Sequence, residues 1–176
     1  MLLKSAICEN GHLQTTTLKN NEKFSNNYCI KCGSKIIDAC PHCNTPILGG
    51  YGFTQKEKNL YFEVIGFKFI REPKHYKEPP YYCHNCGKPY PWTQKFLENY
   101  QQLLDLYDDE IDNSLNQLIY STTEKLLKDS FSTSSINAVI LKKCFTKLSD
   151  ITNGVLINAI SSFAGDIIKN YLSSSE

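Results

Sequence analysis

The stretch YCIKCGSKIIDACPHCNTPI, residues 28–47, contains two Cys-x-x-Cys pairs separated by only seven residues. Each pair is typical of a zinc knuckle, a tight turn whose two thiolates face one metal ion. A third pair, Cys83/Cys86, and a related half-site, Cys8-Glu-Asn-Gly-His12, occur elsewhere in the chain. A closed tetrahedral site needs two halves, so these four halves predict two zinc ions.

The four half-sites can be paired in three ways. Neighbouring pairing would join the two pairs of the quoted stretch, but their spacer, GSKIIDA, is very short for a hairpin and its Lys-Ile-Ile segment is typical of a single strand leaving a knuckle. Crossed pairing would join the Cys-x-x-x-His half to the second pair of the stretch. We favour sequential pairing. It predicts site 1 from Cys8, His12, Cys29 and Cys32, and site 2 from Cys40, Cys43, Cys83 and Cys86.

The four histidines differ in their expected roles. His12 is predicted as a ligand because it follows Cys8 by four residues, just past a glycine, and because site 1 otherwise lacks a fourth donor. If His12 did not bind, site 1 would keep an open position, which is the basis of an alternative hypothesis of metal-dependent hydrolysis. His42 and His84 lie inside knuckles and are expected to face solvent or to contact a metal ligand, and His75 is expected to lie in a loop.

Cysteine usage and hydropathy bear on the compartment. The chain has 176 residues, 41% of them apolar, a net charge of +1 and eight cysteines. Paired cysteines in a reducing compartment indicate metal binding rather than disulfides. The N-terminal residues MLLKSAICENGH lack the apolar core of a secretory signal, and the most apolar run, residues 154–165, is too short to span a bilayer. We therefore expect a soluble cytoplasmic protein with no membrane partner.

The composition changes near Thr93. Residues 1–93 carry 12 Lys+Arg against 7 Asp+Glu, whereas residues 94–176 carry 7 against 11. All the Cys-x-x-Cys pairs and six of the seven prolines lie before residue 90, and no proline follows Pro91. These shifts predict an α+β protein. Its first domain is a tandem zinc ribbon over residues 1–92 with an insertion at 51–80, and its second is a bundle of about four helices over residues 93–176.

Apolar residues recur at helical spacing in the second half, which predicts four helices. These cover residues 96–107, 111–128, 136–148 and 151–172. Thr93 is the candidate N-cap of the first helix, and Ser149 or Asp150 of the last. Trp92 is expected to pack where the last knuckle meets the first helix, and Cys144 is expected in the core.

Two features of the helical half bear on interactions. Asp108, Asp109 and Glu110 are expected at a helix junction as solvated charge, which is favourable at a helix start. The last predicted helix has a wide apolar face. It is interpreted either as the central helix of a bundle or as a docking face for a protein partner or a second copy.

The insertion between the halves of site 2 mixes aromatic and basic residues. Residues 59–70, NLYFEVIGFKFI, predict one or two strands, and residues 72–82 a proline-broken loop. Aromatic residues interleaved with lysines can bind single-stranded nucleic acid. The candidate residues are Lys56, Lys58, Lys68, Arg71 and Lys74. Arg71 is the single arginine beside 18 lysines, so sequence-specific base readout is not expected.

Several motifs together resemble a known family. They are C-x-N-G-H at residues 8–12, Y-C-x-x-C-G at 28–33, C-x-x-C at 40–43 and Y-C-x-x-C-G-K-P-Y-P-W-T at 82–93. The combination resembles a family of bacterial proteins with paired zinc ribbons and a helical C-terminal region. The resemblance implies a bacterial origin and the ribbon fold, and it implies no reaction. More remotely, the motifs resemble tandem double zinc ribbons, in which a short spacer separates two ribbons, as in sequential pairing.

The sequence shows no catalytic constellation, so we predict that the chain is not an enzyme. The leading hypothesis is a zinc-stabilised interaction module, an adaptor or accessory subunit of a bacterial cytosolic complex. Its protein partner, or a second copy, would bind through the C-terminal helices. Nucleic-acid binding through the insertion is the alternative, and metal-dependent hydrolysis at site 1 is the third hypothesis.

Overall fold

The computed structural model describes residues 2–51 and 78–173. The chain divides into two compact units, Met1–Trp92 and Thr93–Glu176, at the position where the composition changes. Most of the insertion, including the strands predicted over residues 59–70, lies outside the described residues. So do His75 and the basic candidates Lys56, Lys58, Lys68, Arg71 and Lys74.

The N-terminal unit is built on a β-hairpin. Strand β1, Leu2–Cys8, pairs antiparallel with β2, Leu13–Leu18. The turn between them, residues 9–12, contains Gly11 with a φ of +83°, a conformation that suits glycine. The hairpin therefore ends at the first half-site, with Cys8 on one strand and His12 at the end of the turn.

The other edge of β1 carries two further strands. Strand β3, Ile36–Ile37, pairs antiparallel with the end of β1 through Ile7 and Cys8. Strand β4, Leu48–Tyr51, pairs antiparallel with the beginning of β1. The segment between β3 and β4 contains the Cys40/Cys43 knuckle, so one strand fixes parts of both predicted sites.

Within the part of the chain that the structure describes, the two predicted ribbons therefore share one four-stranded antiparallel sheet. The two isoleucines of the Lys-Ile-Ile segment form the single short strand β3, in agreement with the prediction of one strand. Buried side chains in this unit include Ala6, Ile7 and Ile47. The Lys4 ammonium lies 2.6 Å from the Asp38 carboxylate, and this ion pair ties β1 to the start of the segment that leads to Cys40.

The second unit contains the helical region, and with the sheet it confirms the α+β class. The described residues contain α1 (Pro91–Asp105), α2 (Asn113–Lys128), α3 (Ile136–Phe145), α4 (Asp150–Ala164) and α5 (Asp166–Ser173). None of the helices within the described ranges has the length and apolar character needed to cross a bilayer. Helix α1 begins at Pro91, so the prediction of Thr93 as its N-cap was wrong. Proline is well suited to the first helical position, because its missing N–H has no helical partner to lose.

The last helix is also shorter than predicted. A continuous helix over residues 151–172 was expected, but Gly165 separates α4 from α5 with a φ of +85°. A positive φ lies outside the helical range and suits glycine, so the helix is interrupted at this residue. Leu156, Ile160, Ile168 and Leu172 are buried, so one stripe of the predicted apolar face lies within the unit itself.

Polar side chains fix the starts of three helices. Asp112 caps α2, Ser135 caps α3 and Ser149 caps α4, each accepting a hydrogen bond from a backbone N–H two or three residues later. The Glu110 carboxylate accepts hydrogen bonds from the backbone N–H and the hydroxyl of Ser149. Glu110 was expected as solvated charge at a junction, and in the structure it binds the start of a helix 39 residues later.

The backbone of Thr16 and Lys4 passes close to Gly49. A methyl group at Gly49 would lie 2.4 Å from the carbonyl oxygen of Thr16, which is backbone and cannot move aside. We expect Gly49→Ala to destabilise the N-terminal unit by about 1–3 kcal/mol, through overpacking. Trp92 fluorescence during denaturant unfolding reports on this unit.

Gly154→Ala is the matched control. Gly154 lies inside α4 and has open space at the position of an added methyl group. Alanine there should stabilise the helical unit by about 1 kcal/mol, because glycine disfavours a helix interior. Equal effects of the two substitutions would contradict the close contact at Gly49.

Candidate metal centres

The three Cys-x-x-Cys pairs share one backbone conformation. In each, the residue after the second cysteine has a positive φ, and its N–H donates to the carbonyl of the first cysteine at 2.8–2.9 Å. The residues concerned are Gly33, Asn44 and Gly87. This turn directs both sulfur atoms of a pair to the same side. The sequence places Gly or Asn at this position in each pair, and both residue types tolerate a positive φ.

The fourth half-site, Cys8 to His12, is a shorter turn that also brings its two donor atoms close together. The Gly11 N–H donates to the Cys8 carbonyl at 2.8 Å, and the Cys8 N–H donates to the His12 carbonyl at 3.1 Å. The His12 N–H lies 3.3 Å from the Cys8 sulfur. The turn brings the imidazole Nδ1 of His12 to 3.5 Å from the same sulfur.

Site 1 brings together Cys8, His12, Cys29 and Cys32. Their four donor atoms all lie within 4.8 Å of one another. The His12 Nδ1 is 3.2 Å from the Cys32 sulfur and 3.7 Å from the Cys29 sulfur. The sulfurs of Cys8 and Cys32 are 3.7 Å apart. The structure thus places the histidine nitrogen among three sulfurs.

Site 2 brings together Cys40, Cys43, Cys83 and Cys86, again within 4.8 Å. The sulfurs of Cys40 and Cys86 are 3.8 Å apart, and those of Cys43 and Cys83 are 3.6 Å apart. The burial pattern matches that of site 1: in chain order the four residues are buried, half-buried, buried and exposed in both.

These distances fit zinc. Tetrahedral bonds of about 2.3 Å to sulfur and 2.0–2.1 Å to nitrogen place sulfurs about 3.8 Å apart and a nitrogen about 3.5 Å from each sulfur. The observed separations of 3.6–3.8 Å between sulfurs are close to these values. A disulfide would need about 2.05 Å. Cysteine and histidine are also the donors that structural zinc prefers, so the two clusters are suited to two zinc ions.

The grouping in the structure is the sequential one. The two pairs of the stretch at residues 28–47 lie in different clusters, one in each. The segment between them forms β3 and lies along β1, so it separates the two knuckles instead of folding them together. Neighbouring and crossed pairing do not correspond to the described geometry.

Hydrogen bonds favour the thiolate form of one cysteine in each site. Backbone and side-chain hydrogen bonds from Ser34 lower the pKa of Cys32 to about 5. Hydrogen bonds from the Thr45 side chain and backbone lower the pKa of Cys43 to about 5. Burial acts in the opposite direction at Cys8, where it raises the pKa. Because metals bind thiolates, the hydroxyl-bearing residues Ser34 and Thr45 assist binding.

A polar contact joins the two halves of each site in the same way. In site 1, the Asn10 side-chain amide donates to the Ser34 hydroxyl at 2.8 Å. In site 2, the Asn85 amide donates to the Thr45 hydroxyl at 3.0 Å, and that hydroxyl lies 3.3 Å from the Cys43 sulfur. Each asparagine is two residues after the first cysteine of one half. We call these two contacts the latches.

Sequence reasoning missed the latch residues, although a signal for them exists. The pattern Cys-x-Asn occurs at Cys8 and Cys83, and a Ser or Thr stands two residues after the second cysteine of the other half in each site. A second contact missed from the sequence is the Gln14 amide, which donates to the Cys29 sulfur at 3.4 Å. Such donors offset the negative charge of thiolates around a metal.

The remaining candidates lie away from the clusters. His42 and His84 are exposed at the tips of their knuckles. Cys144 is buried in α3, where burial raises its pKa. Within the described ranges, only these two groups of His, Cys, Asp and Glu meet the geometry of a metal site.

The family comparison extends over nearly the whole chain. Residues 1–170 match the model of a family described as an uncharacterised protein conserved in bacteria (DUF2321). The chain belongs to this family. The expected bacterial family is thereby confirmed, and its match includes the helical unit as well as the metal sites. No curated protein and no solved structure matches the chain.

Zinc counting by native mass spectrometry tests the grouping. The wild-type chain should bind two zinc ions. Cys40→Ser, Cys83→Ser and their double variant should each bind one, because both residues belong to site 2. The double variant Cys29→Ser/Cys40→Ser should bind none. A single zinc retained by that last variant would contradict the grouping and support neighbouring pairing.

Zinc retention tests the latches. We expect Asn85→Ala and Thr45→Val to weaken zinc binding at site 2 by about 10–100-fold, the range seen when a partner of a metal ligand is removed. Competition with a chromogenic chelator measures the affinity. Thr45→Ser keeps the hydroxyl and should behave as wild type. His84→Ala, in the same knuckle as Asn85, is the matched control, and an equal loss in that variant would show that the latch is not specific.

Proposed function

We propose that this family member is a zinc-stabilised interaction module, an adaptor or accessory subunit of a bacterial cytosolic complex, and not an enzyme. Four donors around each candidate metal centre leave no coordination position for a substrate or an activated water. This supports a structural role for both ions. A hydrolytic role for site 1 would require His12 to stand away from the metal, and its Nδ1 lies within 3.7 Å of all three sulfurs.

The observation that carries the proposal is an apolar tip on the first knuckle. Ile30, between Cys29 and Cys32, is 93% exposed, and Tyr28 is 67% exposed. Backbone hydrogen bonds hold the knuckle, and a zinc ion bound to both cysteines would fix it further. A rigid apolar anchor loses little conformational entropy on binding, which is the property of an interface hot spot.

The charges beside this tip indicate the character of the partner. Lys31 and Lys35 are exposed next to Ile30 and Tyr28. An apolar pocket rimmed by acidic side chains would complement this arrangement, because the lysines guide the encounter and the isoleucine supplies buried area. We call Tyr28, Ile30, Lys31 and Lys35 the knuckle surface.

The C-terminal helices remain a second candidate surface for the same function. Ile151 at the start of α4 is 78% exposed, and Ile136 at the start of α3 is 72% exposed. One of the two stripes of the predicted apolar face, Leu156, Ile160, Ile168 and Leu172, is buried within the helical unit. We therefore favour the knuckle surface as the partner-binding site. A substitution in the helical unit serves as the comparison.

Affinity purification from the native bacterial host tests the proposal. We expect a stoichiometric protein partner that survives nuclease treatment. Ile30→Asp should weaken its binding by about 30-fold or more, the effect of removing a hot spot, while the zinc content stays at two. Ile151→Asp serves as the matched control, because it places the same charge at a similarly exposed isoleucine in the other unit.

Each other outcome has a defined meaning. Loss of the partner in Ile151→Asp alone would move the interface to the helices and overturn the role of the knuckle surface. Recovery of nucleic acid, or of proteins that are lost on nuclease treatment, would favour the nucleic-acid alternative and the lysines of the insertion. A chain that purifies alone with a measurable turnover would overturn the adaptor function.

A further inference from the structure

A buried aromatic side chain lies directly over the turn of site 1. Trp92 is 4% exposed, and a methyl group at Gly11 would lie 3.2 Å from its Cβ and 3.4 Å from its Cγ. Gly11 stands between the two site-1 donors Cys8 and His12. The indole Nε1 donates to the Pro80 carbonyl at 2.9 Å. Trp92 thus covers the turn that carries half of site 1, and it is anchored just before the last knuckle.

A second aromatic residue connects Trp92 to site 2. The Tyr90 ring stacks on the Trp92 indole with centroids 4.8 Å apart and an interplanar angle of 16°. Tyr90 is 1% exposed, and burial together with the nearby Cys83 side chain raises the pKa of its hydroxyl. Site 2, Tyr90, Trp92 and the site-1 turn are therefore in continuous contact.

We propose that Tyr90 and Trp92 are positioning residues that couple the two zinc centres, so that metal bound at one site raises the affinity of the other. Both residues follow the Cys83/Cys86 knuckle, and their positions depend on it. Tyr82 and Pro89, on either side of that knuckle, form a β-bridge, and the Tyr90 N–H donates to the Tyr81 carbonyl at 3.1 Å.

The coupling follows from how small metal units fold. A knuckle of this size has little core of its own, and metal binding supplies much of its folding free energy. Without metal at site 2, the segment after Cys83 loses its constraint, and Trp92 loses the stacked ring that holds it. The turn at Gly11 then becomes exposed, which disfavours the paired geometry of Cys8 and His12. By linkage, the effect must be equal in the other direction.

The sheet offers a competing route between the sites. Strand β1 ends at Cys8 and pairs with β3 and β4, which flank the Cys40/Cys43 knuckle. The two routes use different halves of site 2, because the sheet reaches the Cys40/Cys43 knuckle and the aromatic pair reaches the Cys83/Cys86 knuckle. Variants of the aromatic pair therefore distinguish them.

Single-site variants measure the coupling. Cys83→Ser leaves zinc only at site 1, and Cys8→Ser leaves it only at site 2. Competition with a chromogenic chelator should show that the remaining site binds zinc more weakly than in the wild type. Both sites should weaken by the same factor, within the roughly 5–150-fold range of coupled sites. Unchanged affinity at both remaining sites would overturn the proposal.

The aromatic route is tested in the Trp92→Leu background. There, Cys83→Ser should no longer weaken site 1, since the contact that carries the coupling has already been lost. Trp92→Phe keeps a ring that can stack on Tyr90 and should retain most of the coupling. Full coupling in Trp92→Leu would assign the effect to the sheet and overturn the role of the aromatic pair.

Fluorescence gives a readout that does not depend on zinc affinity. Trp92 is the single tryptophan of the chain. In Cys83→Ser saturated with zinc at site 1, its emission should shift to the red, because the indole becomes exposed. Cys144→Ser, a buried cysteine outside both clusters, is the control and should leave the emission unchanged. Emission that does not shift in Cys83→Ser would contradict the proposal.

Discussion

The convergence of four donor atoms on each of two points is the constraint on which the N-terminal unit depends. Its sheet is small, and its strands β3 and β4 contain two and four residues. Such strands are too short to be stable by pairing alone. Metal binding supplies the missing free energy, because the donors can meet only when the chain is folded. Among the described residues of this unit, the knuckles are therefore the main anchors, and they act together with a hydrophobic core that includes Ala6, Ile7 and Ile47.

Strand β1 connects the two metal sites within one sheet. It ends at a site-1 donor, and its other edge holds the strands that flank the first knuckle of site 2. The aromatic pair Tyr90 and Trp92 connects the other knuckle of site 2, Cys83/Cys86, to the turn of site 1. Through these connections both metal sites hold the knuckle surface in a fixed position. This suits a module that presents a rigid surface to a partner.

Much of this architecture could be predicted from the sequence, because cysteine spacing is a local signal. The Cys-x-x-Cys repeats and the short spacer GSKIIDA, whose Lys-Ile-Ile segment is typical of a single strand, together predicted which halves belong together. The sharing of one sheet could not be predicted, since the partners of β1 are up to 49 residues away in the chain. The split at Gly165 was missed because the apolar periodicity continues through it. The start of α1 at Pro91 was missed because Thr93 is a residue type that commonly caps a helix. The latches could be recognised only once the spatial pairing of the halves was known, although their repeated Cys-x-Asn pattern is present in the sequence.

The coordination of the bound metal tests the central claim most directly. X-ray absorption at the zinc edge of the purified wild-type chain reports the average ligand set of the two ions. The account predicts seven sulfur ligands and one imidazole nitrogen shared by two zincs, which is an average of three and a half sulfurs and half a nitrogen for each. An oxygen ligand at an open position, or a sulfur count well below this average, would contradict closed sites and a structural role for the metal.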